Sequence, residues 1–291
     1  MNTEQKKWFY LFLLALTWGS SFILIKKGLL GLSPFQLGSL RTVMSSLFIF
    51  TIGFKSLKTI QSRQWKWIII TGFIGTFFPS FLFAFAETEV DSGIVSILNS
   101  LVPLNTVLIG LAVFKITSTK TQVFGVILGF VGASMLIFNS MELHPDQNYL
   151  YAGFVILATV MYASSVNIIK RYLQDVKPIA IATGNFVAII IPAILVLSFS
   201  NFFTTETFQN DTIYMSIGSV AILSLFGTVM AKIIFNSLIQ ISSPVFASSV
   251  AYLMPLVALL WGLLDGEVFG INQGLASSLI LLGVYLVNKK A

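Results

Sequence analysis

The chain has 291 residues, of which 56% are hydrophobic and only 10% charged. Groups able to do chemistry are therefore few, and several lie inside apolar stretches. Arg41 stands seven residues beyond Pro34, roughly 10 Å down a helix at 1.5 Å per residue. A charge in hydrocarbon costs about 2.5–3.5 kcal/mol on insertion scales, so its retention marks a candidate site. An arginine there could contact a substrate carboxylate or phosphate. Its structural alternatives are pairing with Glu87 or snorkelling outward. Asn99 is expected at similar depth, counted from Ser92. With Ser100 and Asn105 it could offer amide and hydroxyl contacts, or tie helices together at about 0.6 kcal/mol per bond. Trp18 and Tyr162, near the middle of their stretches, could form an aromatic floor or gate, or simply pack. Glu87 could take a substrate amine or a proton, or be a solvated residue at the mouth. Tyr252 and Asn236 complete the cavity candidates. Lys26 reads as a helix-end anchor, and Lys232 as a lysine that snorkels to the surface.

Much chemistry is excluded. Cysteine is absent and His144 is the single histidine, so thiolate and most histidine-based catalysis or metal binding falls away. Neither G-x-x-x-x-G-K-[ST] nor G-x-S-x-G occurs. The expectation is a protein that is not an enzyme, with no cofactor and no metal.

The elements that must position these groups are helices in a bilayer. A soluble domain carries about 25% charged residues, and a spanning helix needs about 20 mostly apolar ones. Ten stretches qualify, from Trp8, Phe35, Trp67, Ser92, Gln122, Tyr149, Pro178, Ile213, Pro244 and Ile271, so ten transmembrane helices are expected. With the N-terminus inside, basic residues fall on inner segments: Lys6 and Lys7; Lys55, Lys58, Arg63 and Lys66; Lys115 and Lys120; Lys170, Arg171 and Lys177; Lys289 and Lys290. Acidic residues gather outside at Glu87, Glu89 and Asp91; Glu142 and Asp146; Glu206 and Asp211; Asp265 and Glu267. This positive-inside pattern predicts both termini in the cytoplasm. The net charge of +6 is thus an orientation signal and not a nucleic-acid footprint.

The chain also repeats itself. At an offset of 144, Ser20, Ser21, Ile25, Lys26, Leu29 and Pro34 meet Ser164, Ser165, Ile169, Lys170, Leu173 and Pro178. At an offset of 152, Gly75-Thr76 meets Gly227-Thr228, and Pro103 meets Pro255. The expected halves are 1–141 and 142–291. Five spans is an odd number, so the second half would be inverted, as in many secondary transporters. Asn185 stands opposite Arg41, which makes the site electrostatically asymmetric. Pro79, Pro103, Pro192 and Pro255 each remove a helical hydrogen bond. The pair Pro103 and Pro255 is expected to gate. Gly125, Gly129 and Gly132 form a small-residue face suited to helix contact within the monomer or in a homodimer.

With WGSSF…K from Trp18 to Lys26, SPFQLGSLR from Ser33 to Arg41, NSLVPL from Asn99 to Leu104, GVILGFVGASMLI, and AYLMPLVALLWGLLDGE from Ala251 to Glu267, the chain resembles the drug/metabolite transporter superfamily, EamA-like branch. The resemblance covers essentially the whole sequence. It implies a carrier whose cavity is lined by spans one to four and six to nine, with five and ten peripheral. Members export amino acids or related metabolites, and others move nucleotide sugars or phosphorylated sugars. The expectation is a permease of the bacterial inner membrane. Its partners are a small-molecule substrate, the lipid bilayer and protons taken through Glu87. The rivals are a carrier for sugar phosphates or nucleotide sugars, and a non-transporting scaffold or sensor. Phe114-Lys115 stands where the second half has Gly266-Glu267, a difference to which the sequence attaches no function.

Overall fold

The computed structural model describes residues 2–114, 119–143 and 146–288. Lys115, His144, Lys289 and Lys290, named above, lie outside the described residues. The described residues form helices and no strand: α1 (Thr3–Gly28), α2 (Pro34–Gly53), α3 (Ser62–Ala86), α4 (Ser92–Phe114), α5 (Lys120–Leu143), α6 (Tyr149–Tyr172), α7 (Pro178–Phe199), α8 (Ile213–Ile241), α9 (Pro244–Leu264) and α10 (Ile271–Asn288). In hydrocarbon every backbone polar group must be satisfied internally, which selects helices for such sequences. Their starts carry local signals. The side chains of Asn2 and Ser33 cap α1 and α2, reciprocated by Gln5 and Gln36, and Ser243 caps α9. Proline opens α2, α7 and α9, where its missing N–H costs nothing.

Eight helices, α1–α4 and α6–α9, are long and apolar enough to cross a membrane. The apolar parts of α5 and α10, Ile127–Leu136 and Ile271–Gly283, are shorter. These two pack along each other. A Cβ on Gly283 would fall 2.6 Å from the Gly125 carbonyl oxygen and the Gly129 nitrogen, and one on Gly132 would fall 2.8 Å from the Ile280 nitrogen. The small-residue face of α5 is therefore occupied within the chain. Large apolar side chains such as Leu47, Ile191, Phe199 and Leu282 remain exposed, as a lipid-facing surface requires. The protein is an all-helical, multi-pass membrane protein.

Contacts sort the helix ends into two groups. At the near end, where α1 begins, Trp8 meets Phe246, Trp67 stacks on Tyr172 at 3.9 Å, and Lys170 reaches Ser242. At the far end Lys26 meets Asp265 and Glu267, Gln36 donates to Ser200, Thr212 donates to Leu30, and Gln147 donates to Asp91. Thus α1 runs from near to far, and α6 from far to near.

Candidate functional site

An internal cavity of about 120 Å³ lies among α1–α4, α6, α8 and α9. At that volume it holds on the order of ten water-sized groups. It extends from Ile25 to Ile169, residues that match in the internal repeat. Each immediately precedes a lysine, Lys26 or Lys170.

The wall is built around the two Gly-Thr pairs. Both lie where α3 and α8 widen into π-helical register, over Phe73–Phe77 and Leu223–Met230. Such bulges occur frequently at functional sites. The cause in α3 is Pro79, which has no N–H for the Gly75 carbonyl four residues before it. That carbonyl instead accepts from the Lys232 ammonium of α8 at 3.3 Å, and the Thr76 hydroxyl accepts from the same group at 2.5 Å. In α8 the Ala231 N–H bonds the Phe226 carbonyl, five residues back. The Gly227 carbonyl then accepts from Trp18 Nε1 at 2.9 Å, and the Thr228 hydroxyl accepts from Arg41 Nε at 2.9 Å. Each half thus holds a cation supplied by the other. The glycines are needed for close approach. A Cβ on Gly75 would sit 2.5 Å from Ser165 Oγ, and one on Gly227 would sit 2.6 Å from Ser21 Oγ. Ser21 and Ser165 are again matching positions.

Two broken helices complete the wall. α4 is interrupted between Asn99 and Val102, and α9 tightens over Ser249–Tyr252 before resuming at Met254. Pro103 and Pro255 sit at the start of each second segment. Pro255 leaves the Ala251 carbonyl free, and Ser100 Oγ donates to it at 2.9 Å. The two breaks therefore lie against each other. Aromatic rings fill the remaining wall, with Trp18 on Phe235 at 4.8 Å and Tyr162 on Phe83 at 5.9 Å.

Of the residues expected at a site, Arg41, Asn99, Trp18, Tyr162 and Asn236 line this cavity. Asn105 does not: its amide is spent on Thr159 Oγ1 at 2.9 Å, tying α4 to α6. Tyr252 packs against the core and is not in the lining. Glu87 is neither in the lining nor a solvated mouth residue. It continues α3 by one residue, donating its N–H to the Phe83 carbonyl, and that turn carries the side chain inward. It is 9% exposed, and neither carboxyl oxygen has a hydrogen-bond partner. Arg41 forms no ion pair with it among the described residues. Lys232, expected to snorkel, is also 9% exposed and lines the cavity. Its four-carbon stem points inward because Thr76 and the freed Gly75 carbonyl accept its ammonium. Asn185, opposite Arg41 in the repeat, donates to the Ile68 carbonyl and Thr71 and takes no part in the lining. The Gly-Thr pairs were visible as repeated letters, but nothing in the sequence marked them as cation holders.

Beyond the cavity, the far end is closed by charge. Lys26 Nζ lies 3.0 Å from Asp265 and 2.9 Å from Glu267, and Lys27 also pairs with Asp265. Glu267 accepts from the Ser92 hydroxyl at 2.6 Å and from the Ser92 and Gly93 N–H groups at 3.2 and 3.1 Å. A carboxylate of the second half thereby caps the N-terminus of α4 in the first, where a helix favours negative charge. The local cause is the end of α9. Gly266 at φ +88° lets the Glu267 N–H return to the Gly262 carbonyl, a Schellman turn.

A bundle of apolar helices broken around a cavity that holds a few polar and basic side chains is the build of a membrane transporter. The sequence profile of the EamA-like transporter family matches residues 5–138 and again 150–289. The chain belongs to that family. It is 26% identical to an uncharacterized transporter of Archaeoglobus fulgidus, over 98% of this chain and all of that one. It is also 26% identical to the uncharacterized inner membrane transporter YedA of Escherichia coli, over 95% and 89% of the two chains. With the protein PecM of Dickeya dadantii it shares 25% identity over 93% and 86%. A solved crystal structure at 16% identity superposes with a TM-score of 0.67, covering 96% of this chain and 95% of that one. At that identity the likeness concerns the fold alone.

Proposed function

We propose that the protein is a secondary transporter that moves a small polar metabolite, an amino acid or related compound, by alternating access. The observation that carries this reading is the cavity itself: Arg41 and Lys232 are held in it by the opposite half of the molecule, with Asn99, Trp18 and Tyr162 alongside. Two similar halves, 1–141 and 142–291, inserted as an inverted 5+5 repeat of ten spans, would supply two states of similar energy. The double match to one family profile and the opposite courses of α1 and α6 support that arrangement. Loop charges support cytoplasmic termini, and the inner membrane is the membrane named for the Escherichia coli relative. Export is the direction that the family resemblance suggests. Glu87, buried with both oxygens unpartnered, is the group to take a coupling proton.

A second reading, a carrier for sugar phosphates or nucleotide sugars, gains from Lys232. A phosphate site prefers convergent cations, and the cavity brings two. Counterflow into proteoliposomes tests the shared claim. Saturable exchange of at least one metabolite class is expected. Folded protein that exchanges nothing across amino acids, nucleosides and sugar phosphates would leave a scaffold or sensor as the better reading.

A further inference from the structure

We infer that the cavity selects organic anions: the substrate carries more carboxylate or phosphate charge than ammonium charge, and its acidic group seats between Arg41 and Lys232. This rests on the transporter reading and names its substrate class.

The argument begins with what the two cations lack. Arg41 bonds the Thr228 hydroxyl through Nε, and its terminal nitrogens take no other partner among the described residues. Lys232 bonds the Gly75 carbonyl and the Thr76 hydroxyl and no carboxylate. Each is positioned by neutral groups, and neither hydrogen-bonds a carboxylate among the described residues. Among the described residues no aspartate or glutamate lines the cavity. Glu87 is within electrostatic range of Arg41, but it lies behind the wall and extends no oxygen to either cation. The two cations also converge. Thr228, which holds Arg41, is four residues before Lys232, so their backbone positions lie about one helical turn apart, and the Arg41 charge acts on Lys232.

The remaining wall offers an ammonium group the Asn99 amide oxygen, which has no hydrogen-bond partner. The Gly75, Gly227 and Ala251 carbonyls freed from their helices are already taken by Lys232, Trp18 and Ser100. The Thr228 hydroxyl donates back to the Leu223 carbonyl. Rings of Trp18, Phe83, Tyr162 and Phe235 could face a cation, yet a ligand ammonium there would share a low-dielectric space with the Arg41 guanidinium and the Lys232 amine. A zwitterion gains at its carboxylate and loses at its amine. A net anion gains throughout, because it supplies the counter-charge that the protein withholds.

The test uses the full-length protein in proteoliposomes with four probes of similar size: succinate, glycerol phosphate, glutamine and putrescine. At least one of the two anions should compete for transport at least ten-fold more strongly than the zwitterion or the amine. Which anion wins tells carboxylate from phosphate chemistry. Lys232→Gln should raise the half-saturation concentration for the anion at least ten-fold, and Lys232→Arg should retain most of the affinity. Equal or better competition by glutamine or putrescine overturns the inference, as does unchanged anion affinity in folded Lys232→Gln. Thermal unfolding of the purified protein with each probe covers the case of no transport, because a ligand that binds the native state raises its stability. Stabilisation by an anion alone then upholds the site while the transport reading fails. Stabilisation by no anion overturns the inference.

Discussion

Lys26 and Lys170 are matching residues beyond the two ends of the cavity, and they meet different kinds of partner. At the far end Lys26 meets two carboxylates, and one of them, Glu267, also caps α4. At the near end Lys170 meets no acid among the described residues. Its ammonium donates to the Ser242 carbonyl at 2.7 Å and the Ile239 carbonyl at 3.2 Å, around the end of α8. Gln240 strengthens that contact by donating to the Val176 carbonyl at 2.6 Å. A cation on helix-terminal carbonyls is worth about 0.3–1 kcal/mol at an exposed site. A well-buried carboxylate engaged by an ammonium, a hydroxyl and two amides is held by several charge-assisted bonds at once. The difference arises in a single turn, Asp265-Gly266-Glu267. In the alternating-access reading proposed above, unequal ends would let one state be preferred, here the one closed at the far end.

The largest effect should come from Glu267→Ala. It strips the cap from α4 and leaves Lys26 with Asp265 alone, a loss of about 3 kcal/mol by analogy with broken buried pairs. Thermal unfolding in detergent should show it as a fall of several degrees. Labelling at Ile25→Cys from the far side should rise, and the cysteine-free chain provides a clean background. Lys170→Met should cost about 1 kcal/mol or less. Equal losses in the two variants would break the comparison.

A smaller, graded effect is expected with pH. The hydrogen bond from Lys27 is the main influence holding the Asp265 carboxyl below its ordinary value of 3.8, and Lys26 adds to it. Burial works to raise the Glu267 carboxyl, but the bonds from Ser92, Lys26 and Gly93 outweigh it and leave that group below 4.5. A carboxyl depressed in the folded state contributes stability that is complete above its unfolded value and lost as pH falls through the folded one. Far-side labelling should therefore stay low from neutral pH down to those ordinary values and rise only in stronger acid. A rise already near pH 6 would show that another group controls the far end.

What the sequence revealed was cost, and what it concealed was direction. Arg41 was legible because a charge in an apolar stretch is expensive. Lys232 was equally visible, but a lysine stem can point to either surface or inward, and only Thr76 and the Gly75 carbonyl decide. Glu87 reads either as a site group or as a solvated mouth residue because its depth is set by a span boundary, and one extra helical residue buries it. Asn105 and Tyr252 had suitable types at suitable depths on the wrong faces. Most ends of the eight long helices followed from apolar length, but α1 and α3 begin at Thr3 and Ser62, five residues before the apolar stretches at Trp8 and Trp67. Gly266-Glu267 carried no signal, since its partner Ser92 is 175 residues away.

The breaks in α4 and α9 sharpen the comparison last. They occupy matching places, but the first leads up to Pro103 and the second carries a tightened turn before Pro255. Ser100 spans the two by taking the carbonyl that Pro255 frees. Alanine at either position restores an N–H and lets the helix run through. Pro255→Ala also supplies the Ala251 carbonyl with a competing intrahelical donor, which weakens the Ser100 bridge; Pro103→Ala leaves that bridge intact. Both should alter turnover by about three-fold or more, a shift of roughly 0.7 kcal/mol in the barrier, with half-saturation changed less. Pro255→Ala should be the stronger of the two. Unchanged turnover in both would remove these breaks from gating and leave closure to the charged far end.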